Sequence, residues 1–286
     1  MVDVVSAHPD QRDDVARFMQ TVFPRAKWPL AGWQALLAGR WNRPGDPYAI
    51  VAMDGDRIAG ALAMIMAERM TDRGPHRTAN LSSWYVLADY RGQRVGQRML
   101  ALALSDPSVT ITDFTASKMV IPGVQRAGLR VLDQERCLWH RSADAGARWP
   151  IHRDPLALGE ALAAADRRVL EDHEGLSLTP LAIETPDGLC VLILSVQRKG
   201  PDYLTYEVLY AGDRVLLTRY ARAIADSILP DDGAVFSVDR RFLTGPVACD
   251  REQEIPVPRL YRPAQLEPGE IDKLYSEVVL LNMKLD

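Results

Sequence analysis

The chain has 286 residues, of which 47% are hydrophobic and 25% charged, and its formal net charge is -4. This balance is typical of a globular protein with room for one large domain or two ordinary ones. The acidic balance and the lack of a Lys/Arg block argue against general binding of nucleic acid, and no apolar run approaches the ~20 residues of a membrane span.

The start of the chain and its cysteines favour a reducing, cytoplasmic setting. The first six residues lack the basic and apolar regions of a signal peptide. The three cysteines, Cys137, Cys190 and Cys249, are odd in number and far apart in sequence, without CxxC spacing. Such usage predicts neither a disulfide framework nor a metal cluster, so we expect no bound metal.

Hydrophobic periodicity predicts alternating strands and helices in the first half of the chain. In chain order, the predicted elements are a strand over 2–7, helices over 11–23 and 30–41, strands over 48–53, 57–66 and 81–87, a helix over 95–104, a strand over 109–114, a helix over 118–127 and a strand over 130–139. The sequence Asp54-Gly55-Asp56 predicts a hairpin between the second and third of these strands.

Residues 91–96, Arg-Gly-Gln-Arg-Val-Gly, lie between a predicted strand and a predicted helix. Chains form phosphate sites in this way, because the first N–H groups of a helix have no acceptor within the helix. Arg94 stands where such a turn usually has its middle glycine. We expect Arg94 to fit with a helical φ and to add cationic donors for a phosphate.

The second half follows a segment over 142–155 that contains Gly146 and Pro150 and is interpreted as a linker. The elements predicted after it are a helix over 156–171, strands over 178–183, 189–197 and 204–210, a helix over 214–229, a strand over 234–238, a Pro-rich extended stretch over 255–263 and a helical segment over 270–281. The shared element order of the two halves indicates an internal repeat. The second turn places Asp213 where a phosphate would lie.

The stretch over 86–96 resembles a known family. It reads V-L-A-D-Y-R-G-Q-R-V-G, and GNAT-fold N-acetyltransferases, the GCN5-related superfamily, read V-x-P-x-Y-R-G-x-G-x-G/A. Ala88 for proline and Arg94 for glycine depart from that pattern. Residues 2–141 as a whole resemble this family, and the second half resembles a degenerate copy of the same fold.

This resemblance implies an α/β (α+β) GNAT fold, in which a mixed and mostly antiparallel sheet is flanked by helices. It also implies two tandem domains. Residues 1–141 would form the acyl-CoA-binding domain, 142–155 the linker, and 156–286 the degenerate domain with its C-terminal extended stretch and helix.

The resemblance implies acetyl-CoA, or another acyl-CoA, as the co-substrate. In the family, the N–H groups of the turn bind the pyrophosphate, and the strand backbone binds the pantetheine amides. The residues that the match assigns to this binding are Val86, Leu87, Arg91, Gly92, Gln93, Arg94, Val95, Gly96 and Ser117. The implied reaction transfers acetyl to a primary amine of a small molecule by direct attack in a ternary complex, in a monomer or homodimer.

Two positions that often hold catalytic residues in the family differ here. Ser82 replaces the general-base glutamate, and Val124 replaces the tyrosine that protonates the thiolate. A serine is too weak a base alone but can order a water, and holding the reactants together removes up to ~7–11 kcal/mol of barrier. The candidate catalytic residues are Ser82, Ser83 and Tyr85, with His76 and Asp113 as further candidates.

The sequence leaves several alternatives open. The aromatic residues Phe23, Trp28, Trp33 and Trp41 fit either a core or an acceptor wall, and the acidic and histidine cluster over 172–174 fits a helix end better than a metal site. The missing glutamate and tyrosine also fit a scaffold that senses acyl-CoA or binds a partner without turnover. A further alternative is an acyltransferase that uses a long-chain or carrier-protein thioester.

Overall fold

The computed structural model describes residues 2–71, 73–199 and 203–284. Contacts divide the chain into two compact units. The first unit is formed by Met1–Val131, Arg259–Glu267 and Tyr275–Met283, and the second unit by Leu132–Pro258, Pro268–Leu274 and Lys284–Asp286. The end of the chain therefore contributes to both units. The predicted domain limits stay a prediction.

Both units contain mostly antiparallel strands with helices packed on them, so the predicted fold class is confirmed. The strands are β1 (Asp3–Ser6), β2 (Ala49–Asp54), β3 (Arg57–Thr71), β4 (Gly74–Val86), β5 (Thr110–Asp113), β6 (Arg130–Trp139), β7 (Ile151–His152), β8 (Thr179–Thr185), β9 (Gly188–Lys199), β10 (Tyr203–Ala211), β11 (Ala234–Asp239) and β12 (Arg251–Arg262). The helices are α1 (Arg12–Val22), α2 (Leu30–Leu37), α3 (Val95–Ala103), α4 (Ile121–Arg126), α5 (Ala164–Asp172), α6 (Arg214–Ile228) and α7 (Glu277–Leu280). Within the described ranges, none of these helices is both long and apolar enough to cross a bilayer.

The strands of the first unit follow the order β1-β2-β3-β4-β5, and the end of β12 pairs with β5. Neighbouring strands are antiparallel except β4 and β5, which are parallel. These two strands pair over 78–80 and 110–112. Beyond those residues β4 has no partner on the side of β5 in the described chain, so the two strands open into a gap.

A β-bulge in β4 lies beside this gap. The register of β4 against β3 shifts between Ser82 and Tyr85, so that Ser83 and Trp84 together face one residue of β3. Ser83 has a left-handed φ of 52°. A bulge bends its strand and changes the direction of its side chains, and such bulges are common next to active sites.

The strands of the first unit are apolar on both faces because helices pack on both sides. Ile50 belongs to the core that contains Met99 of α3, whereas the next residue, Val51, belongs to the core with Met19 of α1 and Trp33 of α2. Successive side chains of a strand point to opposite faces, so two cores follow from one strand. This double burial explains the long apolar runs of β2 and β3.

The second unit has the same order of strands and helix as the first. The strands β8, β9 and β10 are antiparallel neighbours, α6 follows β10, and β11 returns parallel to β10. The register of β10 shifts between Val208 and Tyr210, at a place comparable to the bulge of β4. The internal repeat itself stays a prediction.

The helix predicted over 156–171 is wrong in its first half. A 3-10 helix spans Pro155–Ala161, and α5 begins only at Ala164. Gly159 has a left-handed φ of 55° within that stretch. A left-handed residue cannot continue a right-handed α-helix, so the apolar spacing of this segment serves packing and not helix formation.

One of the two C-terminal predictions is confirmed and the other is wrong. The Pro-rich stretch over 255–263 is extended as expected, and most of it lies in β12. The helix predicted over 270–281 reduces to the short α7, and the apolar side chains before it, such as Leu274 and Tyr275, are buried without regular helical structure. The apolar residues of this segment are therefore buried, as their helical spacing predicts, but most of the segment is not helical.

Two cysteines that are far apart in sequence meet in the second unit. The sulfur atoms of Cys137 and Cys249 and an oxygen of Glu252 lie within 4.8 Å of one another. Burial, with Cys249 nearby, raises the pKa of Cys137 to about 11. Strand pairing brings the end of β6 beside the start of β12, and two cysteines that are far apart in sequence therefore become neighbours.

Candidate active site

A cleft of about 570 Å³ opens in the first unit where β4 and β5 separate. One side is formed by residues 81–84 of β4, and another by Asp113 and residues 115–117 at and after the end of β5. The rest of the lining comes from the segment between α1 and α2 and from Leu62, Val120, Val124, Leu281 and Met283. The cleft therefore takes its shape from a gap in the sheet.

An aromatic wall, formed by Phe23, Trp28 and Trp33, borders the cleft. The rings of Phe23 and Trp33 stack with centroids 5.5 Å apart, and Trp28 meets Trp33 edge-on at 5.6 Å. The indole N–H of Trp28 donates to the carbonyl of Leu281 at 3.1 Å. Trp41 lies elsewhere in the first unit and packs on Tyr275, with centroids 5.1 Å apart.

The predicted catalytic serines lie at the bulge and line the cleft together with Ser117. The Oγ atoms of Ser82 and Ser83 are 3.2 Å apart, within hydrogen-bonding distance. Tyr85 packs edge-on against Phe23 of the aromatic wall, with centroids 5.6 Å apart. Hydroxyl groups both donate and accept, so the two serines can hold a water or an amine, but they cannot act as strong bases.

Two carboxyl groups, those of Asp113 and Glu277, are both hydrogen-bonded to Thr115. Asp113 ends β5 and lines the cleft, and its Oδ1 accepts from the backbone N–H of Thr115 at 3.2 Å. The hydroxyl of Thr115 donates to Oε1 of Glu277 at 2.7 Å. Burial raises the pKa of Asp113 to about 7 and that of Glu277 to about 8.

The turn before α3 has a conformation that the sequence did not predict. Arg94, the N-cap residue of α3, has φ 59° and ψ 15°, in the left-handed region. The expected helical φ is therefore wrong, because the chain needs a left-handed residue to turn into the helix, and Arg94 supplies it where family members have glycine. Gly92 is left-handed as well, with φ 80°.

The side chains of the turn are held by nearby backbone groups and rings. The Nε of Arg91 donates to the carbonyl of Val86 at 3.0 Å, and its guanidinium lies 5.2 Å from the centroid of the Tyr85 ring. The amide of Gln93 donates to the carbonyl of Asp89 at 3.0 Å. These contacts hold the cationic side chain of Arg91 and the polar side chain of Gln93 next to the exposed backbone of the turn.

The N-terminus of α3 is positioned against β4 and is open to solvent on its other side. A Cβ at Gly96 would lie 3.1 Å from the Trp84 ring, so this glycine permits close packing of helix on strand. No described side chain caps α3. The N–H groups of its first turn, which have no acceptor within a helix, are available to an anion.

The corresponding helix of the second unit has a different N-terminus. The carboxylate of Asp213 caps α6 by accepting from the backbone N–H of Leu216 at 2.8 Å. Asp166 lies directly against Gly212 of the same turn and accepts from the hydroxyl of Tyr210 at 2.7 Å. Two acids thus occupy the place that the open turn of α3 leaves free.

The remaining sequence candidates lie outside the cleft lining. His76 sits in β4, where it faces Arg69 of β3, and its Nδ1 is 2.8 Å from Oε1 of Gln265. β4 thus begins before the strand predicted over 81–87, and it includes His76. His173, from the cluster over 172–174, places its Nδ1 2.8 Å from the carbonyl of Val169 at the end of α5.

Sequence reasoning missed Glu277 and Thr115. The only signal for Glu277 is a single acid within the apolar run over 274–281, which is unusual at a buried position. Thr115 carries no signal of its own, since a threonine after a strand is ordinary. The two residues are distant in sequence, and only the fold places them together.

Comparison with known proteins points to one family. Residues 12–106 match the model of the acetyltransferase (GNAT) family. No curated protein matches the chain in sequence. A GCN5-related N-acetyltransferase from Anabaena variabilis is similar in structure with a TM-score of 0.55, at 11% identity over 91% of this chain and 72% of that chain.

Two further structures have similar folds. A GCN5-related N-acetyltransferase from Kribbella flavida gives a TM-score of 0.54, at 15% identity over 91% of this chain and 71% of that chain. Eis1 from Mycobacterium abscessus gives 0.50, at 13% identity over 92% and 73%. At such identities the likeness shows the fold. The protein therefore has the fold of these acetyltransferases, and its segment over 12–106 matches the GNAT acetyltransferase family in sequence.

Proposed function

We propose that this protein is an acyl-CoA-dependent N-acyltransferase that transfers acetyl from acetyl-CoA to a primary amine of a small molecule. The observation that carries this proposal is the uncapped N-terminus of α3 beside the gap between β4 and β5. The match of residues 12–106 to the GNAT family, which includes β4 and the N-terminus of α3, supports the same conclusion.

The residues of the turn fit a pyrophosphate. The N–H groups of residues 92–96 would hold it, and Arg91 and Arg94 would add charge to that contact. The backbone of Val86 and Leu87 would meet the pantetheine amides where β4 lacks a strand partner. Exposed Arg94 and Gln93 leave this surface accessible. Acetyl-CoA, when bound, supplies the acetyl group as a thioester.

The cleft would hold the acceptor next to that thioester. Ser82 and Ser83 can orient the amine, or a water attached to it, by hydrogen bonds. Val124 lines the cleft, but its hydrocarbon side chain has no proton to give to the leaving thiolate. Holding the two reactants together therefore contributes a large part of the rate, since well-oriented reactants remove up to ~7–11 kcal/mol of barrier.

Calorimetry with coenzyme A tests the binding site. The variants Arg91→Glu and Arg94→Glu reverse the charges beside the turn, and each is expected to weaken binding by at least tenfold, or ~1.4 kcal/mol. Arg17→Glu, on the exposed face of α1, is the matched control and should bind as the wild type does. Unchanged binding by both turn variants would overturn the assignment.

A scaffold that binds acyl-CoA without turnover is the second candidate. The hydrocarbon side chain of Val124 and the lack of a glutamate at Ser82 favour it. Thioester consumption measured against a broad panel of primary amines separates the two functions. Turnover with any acceptor removes the scaffold, whereas tight binding of acetyl-CoA with no turnover removes the enzyme.

A further inference from the structure

The carboxyl of Asp113 occupies a distinctive place in the cleft. Asp113 is the last residue of β5, and β4 and β5 stop pairing immediately before it. Its side chain therefore lies at the inner end of the gap, on the same cleft as Ser82 and Ser83. An acceptor bound in this cleft therefore has both serines and this carboxyl among the groups that surround it.

Glu277 stands behind Asp113 as a second interior acid. Its side chain is fully buried, and its backbone N–H donates to Oδ1 of Asn80 at 3.3 Å. The hydroxyl of Thr115 donates to Oε1 of Glu277, whereas no described group hydrogen-bonds to Oε2 of Glu277. The charged groups that face Glu277 are Asp113 from β5 and Arg259 from β12. One oxygen of this buried carboxyl is thus held by Thr115, and the other is left without a hydrogen bond in the described chain.

The nearest cation of β12, Arg259, donates to the carbonyl of Phe114, the residue after Asp113, at 3.0 Å. None of the ion pairs among the described residues includes Asp113, and burial is the main cause of its raised pKa, about 7. A buried acid is poorly solvated when ionised, so it takes up a proton readily near neutral pH. The charge of Asp113 adds to the burial that raises the pKa of Glu277 to about 8, so Asp113 ionises at a lower pH than Glu277 does.

The rest of the cleft suits an apolar molecule with one charged group. The aromatic wall supplies three large rings, and Leu62 and Leu81 add aliphatic surface. Asp113 is the sole acid among the described lining residues, and Arg25 is the sole cation. In a molecule with several ammonium groups, one group could pair with Asp113, and Arg25 would repel the others.

We propose that Asp113 takes the proton from the ammonium group of the acceptor, and that this acceptor is a monoamine with an apolar body. This inference rests on the proposed acyl transfer. Asp113 is then a catalytic residue, and Glu277 and Thr115 are positioning residues that fix it. The aromatic wall packs against the apolar body of the acceptor and directs its amine toward the gap.

The proton and bond changes balance. The ammonium group of the acceptor gives one proton to the carboxylate of Asp113 and becomes a neutral amine. The amine nitrogen then attacks the thioester carbonyl, so that a C–N bond forms and the C–S bond breaks. The second nitrogen proton goes to the leaving sulfur, and the protonated Asp113 later releases its proton to water. The products are the amide, the free thiol and one proton.

Acceptor preference is the first test. Acetyl-CoA consumption by the full chain is measured with phenylethylamine and hexylamine, and with the polar acceptors glucosamine, lysine and spermidine. We expect kcat/KM for the two apolar monoamines to exceed that for the polar acceptors by at least tenfold. Preference for a polar acceptor would overturn the inference and leave the proposed function standing. Absence of both acetyl-CoA binding and turnover would defeat the proposed function itself.

The pH profile is the second test, and it needs no variant to be informative. With an enzymic base, kcat/KM for phenylethylamine rises to a plateau at a pH near 7 to 8. Without such a base, it follows the free amine and rises until the pKa of the amine, ~10. A wild-type profile that rises without a plateau to that pH would overturn the proposal.

The variant Asp113→Asn sharpens this test. At pH 7.5 we expect its kcat/KM to fall about 100-fold, and the loss to shrink steadily toward pH 10, where free amine is abundant. Asp14→Asn, on the exposed part of α1, is the control and should keep the wild-type profile. Thermal unfolding and coenzyme A binding verify that the variant is folded. A folded variant with a profile parallel to that of the wild type would assign Asp113 a structural role only.

Discussion

Arg94 occupies the left-handed region in which glycine is usually found. An L-residue there costs roughly 1–2 kcal/mol, and part of this strain is offset because glycine has more freedom in the unfolded chain. Arg94→Gly is therefore expected to raise the free energy of unfolding by up to ~1 kcal/mol. The lost cation should weaken coenzyme A binding by roughly three- to tenfold, ~0.7–1.4 kcal/mol. Chemical denaturation and calorimetry measure the two effects.

Arg94→Ala separates strain from charge. It loses the cation but keeps a left-handed residue with a Cβ, so binding should weaken as in Arg94→Gly without a gain in stability. If Arg94→Gly and Arg94→Ala unfold alike, the backbone strain at this turn is negligible.

Glu277 makes the stability of the first unit depend on pH. Its pKa is raised from an ordinary 4.5 to about 8 by burial. The unfolded chain loses this proton near pH 4.5 and the folded chain only near pH 8, so folding stability falls as the pH rises between these values. Glu277→Gln carries no charge, and it should stabilise the protein more at pH 9 than at pH 5, by roughly 2–4 kcal/mol.

Urea unfolding at pH 5, 7 and 9 measures this difference. Glu135→Gln, on an exposed position of β6, serves as the control and should change little with pH. An equal effect of Glu277→Gln at all three pH values would mean that this carboxyl keeps an ordinary pKa.

Local motifs account for what the sequence could place at the site. Ser82, Ser83 and the turn over 91–96 belong to one strand-turn-helix segment, so their proximity follows from short-range order. Glu277 could not be placed, because its partner Thr115 is 162 residues away in sequence. The left-handed φ of Arg94 was missed as well, because an arginine gives no signal for a conformation that its neighbours impose.

At the scale of elements, α3 and α6 begin differently after equivalent strands. Asp213 caps α6, and Asp166 adds a second acid at that turn, whereas α3 is uncapped in the described chain. Both carboxylates carry the same negative charge as a phosphate and repel it, so only the turn of α3 should bind a phosphate. Titration of the full chain is expected to give one coenzyme A per chain, and two equivalent sites would contradict this view.

The cap itself can be tested separately. Asp213→Ala removes the hydrogen bond to Leu216 and should lower the free energy of unfolding by ~1 kcal/mol, without changing the coenzyme A stoichiometry. Asp213→Asn keeps a capping oxygen and should lose only a small part of that stability. A second binding site that appears in either variant would show that the acid alone prevents binding by the second unit.

Hairpins were easier to predict than the later helices. Asp54-Gly55-Asp56 joins β2 to β3 as expected, because two-residue turns depend on local backbone preferences. The helix over 270–281 failed because periodicity reports burial and not conformation. Lys273 in that stretch is fully buried and pairs with Glu207 and, at 2.7 Å, with Asp239. Those long-range ion pairs hold the segment in a non-helical path.

The buried ion pairs of Lys273 give a further prediction. Lys273→Met leaves the carboxylates of Glu207 and Asp239 with less compensation, and it should lower the free energy of unfolding by ~3–5 kcal/mol. Adding Glu207→Gln to Lys273→Met should recover part of the loss, because one buried charge is then removed. Lys27→Met, at an exposed position, is the control. Stability close to that of the wild type in Lys273→Met would contradict this view of the network.

At the scale of the whole molecule, neither unit is made from one continuous piece of chain. The first unit includes Arg259–Glu267 and Tyr275–Met283, which supply the strand partner of β5, the Glu277 carboxyl and part of the cleft. A fragment of residues 1–145 lacks all three. It is expected to be poorly soluble or inactive, because β5 is left as an unpaired edge. Light scattering and coenzyme A calorimetry test this, and a fragment with full binding would contradict it.

The late arrival of the β5 partner has a consequence during synthesis. A ribosome adds residues from the N-terminus at about 5–20 per second, so roughly 8–30 s separate the emergence of β5 from that of its partner in β12. During this interval the nascent chain presents an open strand edge and an incomplete cleft. Slow translation or a missing chaperone should therefore lower the yield of folded protein more than its equilibrium stability indicates.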